Sequence, residues 1–153
     1  MGAVLDDLGY DVALREPARR VVSLVPSLTE AIAVTVPGVL VGATDWCTHP
    51  AGLDVTRVRG TKNPNRDLIA ALHPDLVVAN QEENRRLDVD RLRAAGIPVW
   101  VTRIDSIAEA LDSLDRLFRE AFGLRETDWI DKAREVWNRP PRLTGRVALP
   151  VWR

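Results

Sequence analysis

Short unbroken apolar runs alternate along this chain with stretches whose apolar residues recur every third or fourth position. Val21, Val22, Leu24 and Val25 form the first run, and Pro26 ends it, which is the pattern of a short buried strand. Ser27 and Glu30 stand at the spacing of a capping box, predicting a helix over Thr29–Val36 closed by Pro37-Gly38. Leu40–Thr44 predicts a second strand. Leu76–Ala79 is continuously apolar, as expected of a parallel strand covered on both faces, and Val99–Val101 follows the same pattern. Between the strands, Asn65 is placed to cap a helix with Asp67 in its first turn and Leu68, Ile69 and Leu72 on its apolar side. Val89, Leu92 and Ala95 outline another helix, which stops at Gly96. Such alternation predicts an α/β fold, a mostly parallel sheet flanked by helices in a Rossmann-like lobe. Ahead of it, Val4–Glu16 reads as a two-stranded ribbon turning at Leu8-Gly9-Tyr10.

The pattern changes after Ser106. Ser106 and Glu109 form a second capping box, and Ile107, Leu111, Leu114, Leu117, Phe118 and Phe122 recur at helical spacing up to Gly123. A further helix over Asp128–Asn138 ends at Pro140-Pro141, and Arg146–Trp152 reads as a new strand. A strand that follows a helix leaving the sheet predicts the start of a second unit. The expected division is an N-terminal α/β ligand-binding lobe (1–105), a lobe-packing helix with a backbone helix (106–142), and the start of a truncated second lobe (143–153).

With 153 residues, 46% hydrophobic and 28% charged, the chain can bury one good core. A net charge of −1 gives no reason to expect nucleic acid or an anionic membrane as partner. No stretch approaches a membrane-spanning helix, and Met1–Tyr10 lacks the basic-then-apolar build of a signal peptide. One cysteine excludes an internal disulfide. No Ser-His-Asp set, phosphate loop or dinucleotide fingerprint assembles, so catalysis is not expected.

Candidate chemistry falls on the polar segments that follow the strands. Asp45–Asn63 is a long irregular stretch rich in Thr, Asp, Gly and Pro, and such loops inside a compact domain are more often functional than accidental. Trp46 lies just after a strand end. A large flat apolar ring on a polar loop suits a macrocycle, because stacking buries area at low entropy cost; the alternative is that it plugs its own lobe. Cys47 and His49 are two apart but lack a third ligand nearby, a weak zinc signal, so no metal site is expected. Thr61, Lys62 and Asn63 carry donors at the far side of the same loop. Glu82, Glu83, Asn84 and Arg85 follow the Leu76–Ala79 strand. Ser27 follows the first strand, at the sheet end where open α/β folds bind ligands.

The ordered set of Arg20–Glu30, Val41–Trp46, Gly60–Asn65, Leu72–Val78, Glu82–Arg85 and Ala95–Val99 resembles the substrate-binding proteins of ABC importers for cobalamin, haem and ferric siderophores. This is the helical-backbone metal-receptor group, TroA-like in fold, and the likeness is greatest to its cobalamin-binding branch. It spans most of Asp6–Leu117 in the right order. The resemblance implies two α/β lobes joined by one rigid helix, with the ligand in the cleft between them and no intrinsic cofactor. It implies ligand contacts from strand-end loops, with an aromatic residue such as Trp46 against the ligand; Ser27, Asp45, Thr61, Lys62, Asn63, Glu82 and Asn84 are the further candidates by position, a solvated loop at 61–63 and helix-dipole partners at 82–85 being the alternatives. Asp67 lines up with the acid, usually Glu in the family, that docks on arginines of the ABC permease. An extracytoplasmic place is implied, periplasmic or lipoprotein-tethered, without insertion into the membrane; the missing signal leaves the cytoplasm open. The alternative readings are a small α/β enzyme, or a cytoplasmic ligand-binding module, using the Asp45–Asn63 loop.

Overall fold

Two apolar faces on each central strand determine this architecture. In the computed structural model, which describes residues 4–14, 16–139, 145–146 and 148, the strands β1 (Val4–Leu5) and β2 (Asp11–Val12) form an antiparallel ribbon. The chain continues through β3 (Val21–Ser23), α1 (Pro26–Thr35), β4 (Leu40–Ala43) and β5 (Thr56–Arg57). A hairpin of β6 (Arg59–Gly60) and β7 (Asn63–Pro64) leads into α2 (Arg66–Ala71) and β8 (Leu76–Asn80). Then come α3 (Arg86–Ala94), β9 (Val99–Thr102) and α4 (Ile107–Arg116). A turn of π-helix (Leu117–Ala121) extends α4, and α5 (Asp128–Trp137) is the last described element.

Five strands form one sheet in the order β5-β4-β3-β8-β9, every pair parallel. Successive side chains point to opposite faces. Val21, Leu76, Val78 and Trp100 accordingly join α1, the π-turn and α5 in one core, whereas Val22, Val77, Ala79, Val99 and Val101 join α2 and α3 in the other. Burial on both faces is why these runs are continuously apolar rather than alternating. The expected α/β class holds.

Two expectations change. The capping box at Ser27 and Glu30 does not form: α1 begins at Pro26, and Val25 is its N-cap with no side-chain bond. Proline suits the first helical position, because its ring presets φ and the N–H it lacks would be unpaired there anyway. The segment 45–63, read as irregular, contains β5, β6 and the first residue of β7; elements of two residues are too short to leave a period. The helix over 128–137 packs its first turns on the lobe, while Val136 and Trp137 in its last turn are exposed. Ile130 is fully buried in the core, Trp129 packs edge-on to Phe118, and its indole N–H donates to Thr35 Oγ1 at 2.9 Å. The strand read over Arg146–Trp152 and the 143–153 unit lie largely outside the described residues.

The caps at Asn65 and Ser106 form as read, accepting from the Leu68 and Glu109 amides at 3.1 and 3.2 Å. Glu109 reaches back to the Asp105 amide at 2.8 Å. The outer edge of β9 is met by side chains and one backbone amide of the ribbon turn. Arg93 donates to Val99 O at 3.1 Å, and Asp6 accepts from Val101 N at 3.3 Å. Asp7 N donates to Val101 O at 3.2 Å, and the Asp7 carboxylate accepts from Arg103 N at 3.0 Å. The ribbon thus lies along the sheet rather than joining it.

Candidate functional site

Parallel strands deliver their following loops to one end of the sheet. That end carries the turn after β3, the loop after β4, the β6–β7 hairpin and the loop after β8. Asp45 and Trp46 follow β4 directly, and Trp46 is 68% exposed. It does not plug its own lobe. The Asp45 amide donates to Arg59 O at 2.9 Å, which docks this loop on the hairpin. A Cβ built on Gly60 would lie 2.5 Å from Asn63 Oδ1 and 3.3 Å from Trp46 Nε1. A side chain at Gly60 would thus push the exposed Asn63 side chain aside and crowd the indole, so the glycine leaves room for both at the hairpin. Arg59, just before it, has φ of 70°, a left-handed conformation that is uncommon for a residue with a Cβ and is associated with functional loops.

Cys47 is fully buried. Thr29 Oγ1 donates to its sulfur at 2.9 Å, and Thr44 Oγ1 lies 3.1 Å away. A thiol packed between two hydroxyls beneath a loop anchors that loop. His49 is exposed, its Nδ1 3.2 Å from Thr48 Oγ1. The two residues are not paired, and among the described residues no three His, Cys, Asp or Glu side chains are grouped to hold a metal.

The hairpin tip meets the loop after β8. Lys62 Nζ donates to Glu82 O, so Thr61, Lys62 and Glu82 share one surface. Asn84 lies beneath that surface, 6% exposed. Its Nδ2 donates to Leu24 O at 3.2 Å and Thr61 O at 2.9 Å, while its Oδ1 accepts from Asn80 N at 2.9 Å. One side chain ties the turn after β3, the hairpin and the end of β8, with no amide hydrogen left for a ligand. Ser27 is exposed in the first turn of α1, at the same sheet end. Asp67 is exposed in the first turn of α2, on a polar concavity with Arg59, Pro64, Asn65 and Arg66.

Two features had no signal in the sequence. Arg57 reaches back from β5 to the Trp46 loop, donating to Thr44 O, Cys47 O and Leu53 O at 3.1, 2.8 and 3.1 Å. A cleft of about 380 Å³ also opens between the ribbon turn and α3, with Leu8, Tyr10, Asn80, Val89 and Arg93 among its walls. The Arg93 guanidinium stacks on Tyr10, 4.4 Å from the ring centre.

The vitamin B12-binding protein of Yersinia pestis is 36% identical to the chain over 104 residues, which is 65% of this chain and 37% of that protein. The chain thus spans less than half the length of the curated relatives it matches. The solved periplasmic vitamin B12 binding protein BtuF of Vibrio cholerae superposes with a TM-score of 0.65 at 25% identity, covering 79% of this chain and 47% of its own. The haem-binding protein HmuT gives 0.68 at 27% identity, covering 87% and 43%. The iron-uptake ABC transporter substrate-binding protein PiuA of Streptococcus pneumoniae gives 0.71, covering 89% and 49%; at 20% identity it shares the fold alone. No protein-family model matches the chain. By sequence and by fold, this chain resembles the substrate-binding proteins of ABC importers, over a span that fits one lobe of such a protein.

Proposed function

We propose that the chain is one wall of a receptor cleft for a cobalamin-like or other metal-chelate ligand, passed on to an ABC permease. The observation that carries this reading is Trp46, an indole presented at the carboxyl end of a parallel sheet beside the Thr61–Asn63 hairpin. Its ring offers a flat apolar face, and Lys62, Asn63 and Asp45 at its border can meet the amides or carboxylates of a macrocycle. Ser27 and Glu82 extend this surface, and Asn84 braces it from below. The second wall would come from a further lobe beginning near residue 143, with the 106–142 segment supplying a lobe-packing helix and the backbone helix that joins the two lobes. The relatives named as periplasmic favour an extracytoplasmic place.

Titration calorimetry with cyanocobalamin, haemin, ferrichrome and zinc tests the ligand class. A chelate should bind more tightly than zinc, and Trp46→Ala should weaken the chelate about tenfold, or about 1.4 kcal/mol. Binding of zinc alone would sink the reading.

Asp67 is the proposed permease contact. An exposed carboxylate on a rigid turn can fix docking register without touching the ligand. Asp67→Asn keeps the shape and removes the charge, so capture by the permease in detergent should fall while chelate affinity holds. A variant that docks normally but melts lower, by the roughly 0.3–1 kcal/mol of a helix-dipole contact, would leave Asp67 as a helix-end residue only.

A further inference from the structure

We propose that Arg57 is a positioning residue for ligand binding, acting through the loop that carries Trp46. The proposal rests on the reading of Trp46 as a ligand contact. Arg57 ends the edge strand β5, and its exposed guanidinium donates to the carbonyls of Thr44, Cys47 and Leu53 at 3.1, 2.8 and 3.1 Å. Two of those carbonyls bracket Asp45 and Trp46. On the inner side, the buried Cys47 sulfur sits between the Thr29 and Thr44 hydroxyls, at 2.9 and 3.1 Å. On the third side, the Asp45 amide is held by Arg59 O at 2.9 Å. The backbone around Trp46 is therefore fixed from outside, below and beside, while the indole itself stays 68% exposed.

A loop that is already ordered loses less conformational freedom when a ligand arrives, and that saving appears directly in affinity. Arginine suits the task because its planar fork presents several N–H groups in fixed directions; a lysine ammonium on a flexible stem cannot hold three separated carbonyls in the same way. The guanidinium lies on the surface, so replacing it opens no cavity in either core.

The test combines unliganded hydrogen exchange with a double-mutant cycle on chelate binding. The proteins are wild type, Arg57→Ala, Arg57→Lys, Trp46→Ala and the Arg57→Ala/Trp46→Ala pair, titrated with cyanocobalamin and with haemin. Without ligand, Arg57→Ala should speed exchange of the Cys47 amide by about tenfold or more while amides of β3 and β8 stay protected. It should weaken the chelate about tenfold, with Arg57→Lys restoring little, and should cost nothing further once Trp46 is alanine. Unchanged exchange at Cys47 would overturn the proposal. So would an affinity loss that adds in full to that of Trp46→Ala, since Arg57 would then act independently of the ring. Should Trp46→Ala bind as tightly as wild type, the ligand reading fails and the positioning role with it; the exchange data then report the clamp alone.

Discussion

Asp6→Ala should cost the fold about 3–5 kcal/mol, the loss expected when one member of a buried ion pair is removed. Asp6 is 2% exposed, and its carboxylate accepts from four donors. Leu8 N and Tyr10 N close the ribbon turn at 2.9 Å each, Val101 N reaches it at 3.3 Å, and the Arg93 guanidinium at 2.6 Å. Removing the carboxylate leaves a mostly buried cation and several amides without their acceptor, and such orphaned groups are what make polar deletions expensive. Asp6→Asn keeps the shape and one acceptor oxygen, and should cost less. Urea unfolding of the three proteins, followed by circular dichroism, measures the difference. A loss below about 1 kcal/mol for Asp6→Ala, the range of a solvent-exposed pair, would mean that Arg93 rehydrates easily and that the ribbon is dispensable.

Phe118→Ala should be of similar size, about 3–5 kcal/mol, for an apolar reason. Phe118 is fully buried in the π-turn that extends α4. Its ring lies 5.7 Å from Phe122 and meets Trp129 edge-on at 6.3 Å, so it joins the sheet-facing core to α5. The cavity left by truncation would lie under α5, and that helix should loosen before the sheet does. The midpoint of thermal unfolding should fall by about 2–4 °C per kcal/mol in a chain of this length. Limited proteolysis between Gly123 and Thr127 should accelerate in parallel. A lower melting point with unchanged cleavage there would show that α5 is held by its other contacts, among them the Trp129 bond to Thr35 and the Arg134 bond to Asp112.

How much of this could be read beforehand depends on the range of the interaction. The runs at Val21–Val25 and Leu76–Ala79 announce strands because burial on both faces demands apolar side chains at every position, a local signature of a global fact. The Asn65 and Ser106 caps are legible for the same reason, since cap and capped amide are three residues apart. The box at Ser27 and Glu30 had the same spacing and failed, because Pro26 already occupied the first helical position. Placement of Asp45 and Trp46 followed from the strand before them. The contacts that hold them did not. Arg57 binds carbonyls 4–13 residues earlier in the chain, and Asn84 binds a carbonyl 60 residues away. Every residue supplies a carbonyl, so no pattern of residue types marks these partners.

The free margin of β9 invites another chain to add a strand, as any unpaired sheet edge does. Here its outward N–H and C=O groups from Val99 to Arg103 are taken up by Arg93, Asp6 and Asp7. A carboxylate or a guanidinium satisfies one or two backbone groups but offers no repeating ladder for a neighbour to continue. The corner at Asp6–Asp7 consequently serves as a guard against fibrous self-assembly as well as a brace. A protein that lost it would expose, beside Trp100 and Val101, an apolar template ready to recruit copies of itself.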